Sequence, residues 1–159
     1  MYKRQLLAGV LWPNGYVQDL NPVGATLGDV AEVLAYSAAD AEYHPGDTIP
    51  VTLYWRALRR LDKDYKAFVH LVDAGMTRQP AQHDGDPNAG FSPTTRWLPG
   101  EIVPDTHRLA LPDDLAPGLY RLWAGMYDYE TVQNLEVVSS QATAVDGRIL
   151  LGEVEVLAP

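Results

Sequence analysis

The amino-acid sequence predicts an all-β fold, an antiparallel β-sandwich of about seven to nine strands, and three observations support this prediction. Apolar and polar residues alternate over short segments, whereas helical periodicity is nearly absent. Clusters of Pro, Gly and Asp separate these segments at spacings typical of sandwiches and barrels. The chain has 159 residues, which is enough for one domain with a sizeable core.

The clearest predicted strand covers residues 48–57 and follows a turn at residues 44–47. One face of this strand is apolar and carries Ile49, Val51, Leu53, Trp55 and Ala57. Pro50 lies inside the run and has no N–H to donate to a neighbouring strand. We therefore expect the strand to lie at a sheet edge there, or to begin its ladder after Pro50.

Six further segments complete the predicted sandwich. Residues 65–72 carry apolar side chains on both faces, so we expect a central strand that is covered on both sides. The other predicted strands cover, in chain order, residues 30–36, 105–111, 119–128, 135–138 and 150–157. The β-sandwich domain is accordingly predicted at residues 29–159.

Residues 1–28 are expected to be a lead-in or linker, because residues 13–28 carry Pro, Gly and Asn with little periodicity. The apolar run at residues 6–12 is short, and no small-x-small cleavage site follows it, so a signal peptide is not expected. No segment of the chain approaches the roughly 20 apolar residues that a membrane-spanning helix needs. The chain is therefore expected to contain no transmembrane segment.

Residues 115–120 (LAPGLY) place a turn directly before Tyr120, which opens a predicted strand. This order is typical of the tyrosine corner, in which the ring packs in the core and the hydroxyl bonds an upstream backbone group. The pattern favours a sandwich of the immunoglobulin or fibronectin-III type over a closed barrel.

Charge and cysteine content exclude several functions. The formal net charge is −9, whereas nucleic-acid affinity comes largely from a surplus of Lys and Arg, so no nucleic-acid partner is expected. The absence of cysteine excludes a disulfide framework, a thiolate zinc site, an iron–sulfur cluster and a cysteine nucleophile. Cysteine content leaves the cellular compartment undetermined.

The polar side chains show no recognisable metal or catalytic motif. Neither His-x-His nor His-x-x-x-His occurs, so a structural or solvent-facing role is expected for all four histidines, which are His44, His70, His83 and His107. Asp84 and Asp86 are weak candidates for a hard-cation site, with Asp73 as a third ligand, but Asp residues between glycines are more often turn formers. We predict no metal and no cofactor.

No enzyme is predicted either. Carboxylates are so abundant that a pair suited to glycoside hydrolysis carries no weight without geometry. The serines lie outside any nucleophile-elbow context, and glycine-rich phosphate loops are absent from the sequence.

Aromatic residues are the candidate ligand-binding groups. Trp123 and Tyr127 share one strand face with Gly125 between them, which predicts an open shelf about 13 Å long. Trp97 lies in a predicted loop between residues 93–96 and residues 98–101. Such rings offer flat apolar platforms to sugars, although sandwich cores use the same residue types, so packing in the core stays open as the alternative.

Five segments resemble a known family: residues 45–57 (PGDTIPVTLYWRA), 64–71 (DYKAFVHL), 81–85 (AQHDG), 93–101 (PTTRWLPGE) and 117–122 (PGLYRL). They are similar to the β-sandwich domain that follows the polytopic portion of bacterial dolichyl-phosphate-mannose mannosyltransferase-like membrane glycosyltransferases. The resemblance covers most of residues 29–157 and implies an extracytoplasmic accessory module. The acidic catalytic motifs of the family's membrane portion have no counterpart here, so the resemblance assigns no catalytic residue.

Two functions follow as expectations. The first is a non-catalytic binding module associated with glycosyltransferase machinery, which offers Trp97, Trp123 and Tyr127 to a glycan. The second is a structural spacer that binds a partner protein, or its own copy, through an exposed sheet edge. The sequence leaves the ligand, the oligomeric state, the localisation and any continuation of the chain undetermined.

Overall fold

The fold is an all-β sandwich, as predicted. A computed structural model describes residues 20–38 and 40–159, in which twelve strands and two 3₁₀ helices form without any α-helix. In chain order the strands are β1 (Asn21–Leu27), β2 (Ala31–Ala38), β3 (Glu42–Tyr43), β4 (Thr48–Ala57), β5 (Tyr65–Asp73), β6 (Ala81–Gly85), β7 (Ile102–Ala110), β8 (Gly118–Asp128), β9 (Gln133–Asn134), β10 (Val137–Ser140), β11 (Ala144–Val145) and β12 (Arg148–Val156). The 3₁₀ helices, Pro87–Gly90 and Thr94–Arg96, lie between β6 and β7.

Two sheets pack face to face around one apolar core. The first has the strand order β10-β1-β2-β4-β7 and is antiparallel throughout. The second has the order β11-β12-β8-β5-β6, with β3 parallel to β12 and β9 antiparallel to β8. Nine of the twelve strands have at least four residues, which agrees with the predicted number. The two-residue strands β3, β9 and β11 are too short to show any alternation in the sequence.

Strand β4 has the bounds predicted for it, and its inward residues Ile49, Val51, Leu53 and Trp55 are fully buried. It lies between β2 and β7 rather than at an edge. Among the described residues its pairing with β2 extends as far as Val51, and its pairing with β7 extends to Thr48. Both predicted arrangements are wrong towards β7, because β4 is not an edge there and its ladder includes Pro50, which lies opposite Arg108.

Strand β5 is a central strand covered on both faces, as its two apolar faces predicted. Its inward residues join the inter-sheet core, whereas Phe68 points to the outer face and is nevertheless buried. The Phe68 ring and the Gly147 carbonyl occupy the space where a Cβ of Gly125 would lie. Glycine at position 125 therefore allows an aromatic ring to pack closely on the outer face of the sheet.

The predicted linker at residues 1–28 is wrong in its last part. Residues 21–27 form β1, a strand between β10 and β2 whose Val23, Ala25 and Leu27 are buried in the core. Gly24 has a φ of 67°, and the pairing with β2 shifts register between Pro22 and Ala25. The residues Asn21, Pro22 and Gly24 are typical of loops, which is why the segment was taken for a linker, and the sandwich includes residues before position 29. The run at residues 6–12 lies outside the described residues.

The tyrosine corner is confirmed. Tyr120 is buried at the start of β8, and its hydroxyl donates a hydrogen bond of 2.7 Å to the backbone carbonyl of Ala116. In the part of the chain that the structure describes, no helix is long and apolar enough to cross a membrane.

Candidate functional site

The most polar buried region lies where the two sheets meet at one side of the sandwich. Strand β6 is the outer strand of one sheet and β7 is the outer strand of the other. Asp84 and Asp86 were expected to be turn formers, but Asp84 lies in the strand β6 (Ala81–Gly85), and only the residues after Gly85 turn. Edge strands tolerate polar residues on both faces, so β6 gives no apolar alternation to detect.

Strand β7 points both apolar and ionisable side chains inward. Its buried residues alternate with exposed ones, and Val103, Asp105, His107 and Leu109 face the interior. Asp105 and His107 are each only 1% exposed. Burying a carboxylate and an imidazole is unfavourable unless hydrogen bonds or a charge partner satisfy them.

Three donors satisfy the Asp105 carboxylate. Its Oδ2 accepts hydrogen bonds from Trp55 Nε1 on β4, at 3.1 Å, and from His107 Nε2, at 2.7 Å. Its Oδ1 accepts the backbone N–H of Asn88, at 2.9 Å, from the 3₁₀ helix that follows β6. One buried carboxylate thus joins β4, β7 and the connection between β6 and β7.

His107 is placed as a double donor. Its Nε2 faces Asp105 Oδ2, while its Nδ1 lies 3.2 Å from the backbone carbonyl oxygen of His83 and 2.9 Å from His83 Nδ1. A carbonyl oxygen only accepts, and so does an ionised carboxylate, so these partners assign a proton to both nitrogens of His107. With this assignment His107 donates to Asp105 and to His83, and His83 Nδ1 accepts a hydrogen bond from it.

His83 is the neutral member of this pair. Burial is the main cause that lowers its pKa below the usual 6.5, and the positive charge of His107 lowers the pKa further. The carboxylates of Asp105 and Asp84 act in the opposite direction. A neutral imidazole with an unprotonated Nδ1 carries its proton on Nε2.

The helix Pro87–Gly90 is conformationally strained. Asn88, Ala89 and Gly90 have φ values of 57°, 53° and 87°, and we call these three residues the left-handed turn. Non-glycine residues in this region cost free energy, so the surrounding structure must hold them there. The hydrogen bond from the Asn88 N–H to Asp105 does so, together with that from Asn88 Nδ2 to Ser92 Oγ at 3.2 Å.

The left-handed turn and the edges of β6 and β7 border an open cleft of about 530 Å³, which we call the polar cleft. Its ionisable and hydroxyl-bearing side chains are Lys66, His83, Asp84, Asp86, Thr106 and Arg108. Lys66 Nζ lies 3.0 Å from Asp86 Oδ2 and 5.0 Å from the centroid of the Tyr129 ring. Within the described residues, Arg108 has neither an ion pair nor a hydrogen bond from its side chain.

Tyr127 borders this region. Burial raises the pKa of its hydroxyl, and the nearby Asp84 carboxylate, which also shares a hydrogen bond with Tyr127, raises it further. Of the three predicted ligand-binding residues, Tyr127 is the one that keeps substantial exposure.

The structure corrects the expected exposure of Trp97. The residue lies on a loop, but its ring is 1% exposed and packs against Trp55 with a centroid distance of 6.4 Å. Its Nε1 donates a hydrogen bond of 2.8 Å to the Ser92 carbonyl. Trp97 therefore closes the core from the loop and offers no flat platform at the surface.

The predicted shelf between Trp123 and Tyr127 is also corrected. Trp123 is 2% exposed, and the Arg148 guanidinium lies over its ring at 5.4 Å. The space above Gly125 is filled by Phe68, whose ring lies 6.3 Å from that of Tyr127. Neighbouring side chains thus cover the shelf, and only its Tyr127 end reaches solvent.

The candidate cation ligands do not converge. Asp73 accepts hydrogen bonds from the backbone N–H groups of Thr77 and Arg78, which is the role of a turn former. Asp86 pairs with Lys66, and Asp84 lies beside Tyr127. Across the described ranges, no group of three or more His, Cys, Asp or Glu side chains is arranged to hold a metal ion.

Sequence reasoning missed the contact between His83 and His107, which are 24 positions apart. Part of the signal was present, because Asp105 and His107 alternate with Val103 and Leu109 and must share the inward face of one strand. The meeting of β6 and β7 depends on how the two sheets stack, which a pattern within one strand does not show.

The chain matches no model of a known protein family, and no curated protein matches it significantly. Its function is therefore argued from the geometry of the polar cleft.

Proposed function

We propose that this protein is a non-catalytic binding module that holds a glycan in the polar cleft. The observation that carries the proposal is the preorganised left-handed turn, which the buried Asp105 carboxylate holds against β7 beside a cleft of about 530 Å³. Sites that are rigid before binding lose less conformational freedom when the ligand arrives.

The side chains of the cleft fit sugar hydroxyl groups. Asp84 and Asp86 supply acceptors, and the Arg108 guanidinium supplies several N–H donors in one plane. In its neutral form His83 adds an Nε2–H donor. A sugar hydroxyl both donates and accepts, so a mixture of carboxylate and guanidinium groups matches a ring with neighbouring hydroxyls.

Tyr127 and Tyr129 add aromatic surface at the edge of the cleft. Tyr129 is 63% exposed and lies beside Lys66, while Tyr127 lies beside Asp84. Aromatic rings next to convergent polar groups are a common composition of small-ligand sites. Tyr129 thus takes the role that the sequence analysis assigned to the two tryptophans.

The proposed setting is an accessory role outside the cytoplasm, beside membrane glycosyltransferase machinery. The resemblance of residues 45–57 and of four other segments to domains of such enzymes supports this setting. The domain would hold a glycan there while another polypeptide carries out the transfer.

A glycan array followed by titration calorimetry on the full chain tests the function. We expect binding of at least one oligosaccharide, and we expect Arg108→Ala to weaken it at least about ten-fold, which corresponds to about 1.4 kcal/mol. The matched control is Arg96→Ala, another exposed arginine, which lies outside the residues of the cleft and should leave the affinity unchanged. Absence of binding across neutral and acidic glycans, or equal affinity in both variants, would contradict the proposal.

A second function, a spacer that binds a protein through a sheet edge, is favoured by β10. This strand is outermost in the five-stranded sheet, and its Val138 is 55% exposed. An unpaired edge with an exposed apolar residue can pair with another chain. Light scattering of the wild type and of Val138→Lys tests this function, which predicts a concentration-dependent dimer in the wild type alone.

A further inference from the structure

We propose that acid opens the polar cleft by adding a proton to the His83–His107 pair, so that the cleft binds its ligand at neutral pH and releases it in acid. The release of ligand rests on the binding function proposed above. The opening of the cleft is a property of the protein alone and is measurable without any ligand.

The first step is that only contacts of side chains join β6 and the turn after it to β7 in the described ranges. These strands belong to different sheets, and in the described ranges no backbone ladder pairs them. Three contacts connect them instead. The Nδ1 atoms of His83 and His107 lie 2.9 Å apart, His107 Nδ1 lies 3.2 Å from the His83 carbonyl oxygen, and the Asn88 N–H donates to Asp105. All three end on the buried pair of Asp105 and His107.

The second step is that the contact between the two rings depends on the number of protons that His83 and His107 carry together. His107 donates from both nitrogens, so the contact between the two rings holds one proton and depends on the lone pair of His83 Nδ1. If His83 gains a second proton, two N–H groups oppose each other at 2.9 Å and a second cation lies beside a buried first one. The contact then turns from attractive to repulsive.

The third step is that the nearby carboxylates do not compensate the added charge, because burial and the positive charge of His107 lower the pKa of His83 by more than Asp105 and Asp84 raise it. Asp105 already accepts three hydrogen bonds, Asp84 shares one with Tyr127, and Asp86 pairs with Lys66. The other charged side chains of the cleft are Lys66 on β5 and Arg108 on β7, and both are cations. Protonated His83 is therefore stable only after its ring leaves His107 for solvent.

Protonation of His83 also affects the left-handed turn. The turn follows directly after β6, so the movement of His83 loosens the end of β6 and the residues that follow it. Strain in Asn88 and Ala89 favours relaxation of the turn once this support is lost. The lowered pKa of His83 agrees with this order of events and places its protonation below the usual pH of 6.5.

The test is an NMR titration of the full chain from pH 7 to pH 5. The side-chain signals of His83 report protonation, and amide protection factors at Asn88 and Gly90, corrected for intrinsic exchange rates, report opening. We expect protection at both amides to fall at least about ten-fold in step with the His83 titration, while amides in β4 stay protected. Protection that does not change with pH would overturn the proposal.

Two variants separate a specific effect of His83 from a general effect of acid. Glutamine at position 83 can still accept the proton of His107 but does not titrate, so His83→Gln should abolish the pH response. The matched control, His44→Gln, removes an exposed histidine of a turn and should keep the wild-type response. A wild-type response in His83→Gln would overturn the proposal. If His83→Gln does not fold, the agreement between the ring titration and amide protection in the wild type decides the question.

Binding measurements separate the failure of this inference from the failure of the proposed function. For an oligosaccharide found on the array, the wild type should bind at least about ten-fold more weakly at pH 5 than at pH 7, whereas His83→Gln should not. Equal wild-type affinity at both values overturns release by acid and leaves the binding function intact. If no oligosaccharide binds, the proposed function fails, while the exchange experiment still decides whether the cleft opens.

Discussion

The backbone N–H of Asn88 donates a hydrogen bond of 2.9 Å to the carboxylate of Asp105, which is buried on the inward face of β7. This bond connects a strained surface turn to the interior of the opposite sheet. Because the same carboxylate also bonds Trp55 and His107, the shape of the cleft and the packing of the core depend on one side chain. The predictions below test that dependence and the packing around it.

Asp105→Asn should destabilise the protein strongly. The change keeps the shape of the side chain, but it leaves the buried charge of His107 without its partner and points an NH₂ group at one of the three donors. Removing one member of a buried ion pair typically costs about 3–5 kcal/mol, and urea denaturation at pH 7 measures the loss. The control is Asp62→Asn at an exposed site, for which a change within about 0.5 kcal/mol is expected. Equal stability of the two variants would contradict the role of Asp105.

Gly125→Ala should destabilise the outer face of the sheet that contains β5 and β8. The added methyl group would overlap the Phe68 ring and the Gly147 carbonyl, so the expected loss is about 1–3 kcal/mol in thermal or urea unfolding. Gly85→Ala is the matched control, because no atom lies within 4 Å of the position that its Cβ would take. Similar losses in both variants would show that the packing of Phe68 is not the cause.

Tyr120→Phe should remove the hydroxyl of the tyrosine corner and leave the ring in place. The Ala116 carbonyl then loses its donor, and a single hydrogen bond of this kind contributes about 1 kcal/mol. Tyr129→Phe, at an exposed ring, should leave the free energy of unfolding unchanged. A Tyr120→Phe protein as stable as the wild type would mean that the corner contributes only through its ring.

Stability should fall as the pH decreases from 6.5 to about 4, because burial lowers the pKa of His70 to about 4. In the unfolded chain His70 takes up a proton near pH 6.5, whereas in the folded protein it does so only near pH 4, so acid favours unfolding over this range. At about 1.4 kcal/mol per pKa unit, the loss reaches up to about 3 kcal/mol. Urea denaturation at several pH values measures it.

His70→Phe should reduce this pH dependence, since the phenyl ring can keep the stacking on Phe68 and does not titrate. The control, His44→Gln, should lose stability in acid to the same extent as the wild type. The prediction fails if the stability of His70→Phe falls with pH as steeply as that of the wild type. The pKa of His83 is also lowered, so a residual slope is expected in His70→Phe and should decrease when His83→Gln is added.

Strands β4 and β1 and the residue Trp97 show which parts of the fold could be predicted from the sequence alone. Strand β4 was predicted with its exact bounds, because ten residues of regular alternation follow a turn of Pro, Gly and Asp. Strand β1 was missed, because Asn21, Pro22 and Gly24 are typical of loops, although Val23, Ala25 and Leu27 alternate with them. Trp97 was placed on a loop correctly, but the direction of its ring depends on Trp55 and on the Ser92 carbonyl.

The candidate site was harder to predict than the fold. Asp84, Asp86 and Tyr127 were singled out from the sequence for other reasons, and all three lie at the cleft or beside it. Arg108 and Thr106 could not be recognised, because exposed polar residues on a strand are ordinary. They become candidate binding residues only because β6 lies across the polar cleft from them.

The sequence by itself determined the β-sandwich, the tyrosine corner and the bounds of β4. These features follow from periodicity along single strands and from local turn chemistry, both of which lie within a few neighbouring residues. Only the tertiary structure decided the contact between His83 and His107 and the burial of Trp97 and Trp123. It also decided that the turn after β6 is held by a hydrogen bond to Asp105. The physical reason is that these contacts join strands of different sheets, or side chains far apart in sequence, and depend on how the two layers stack.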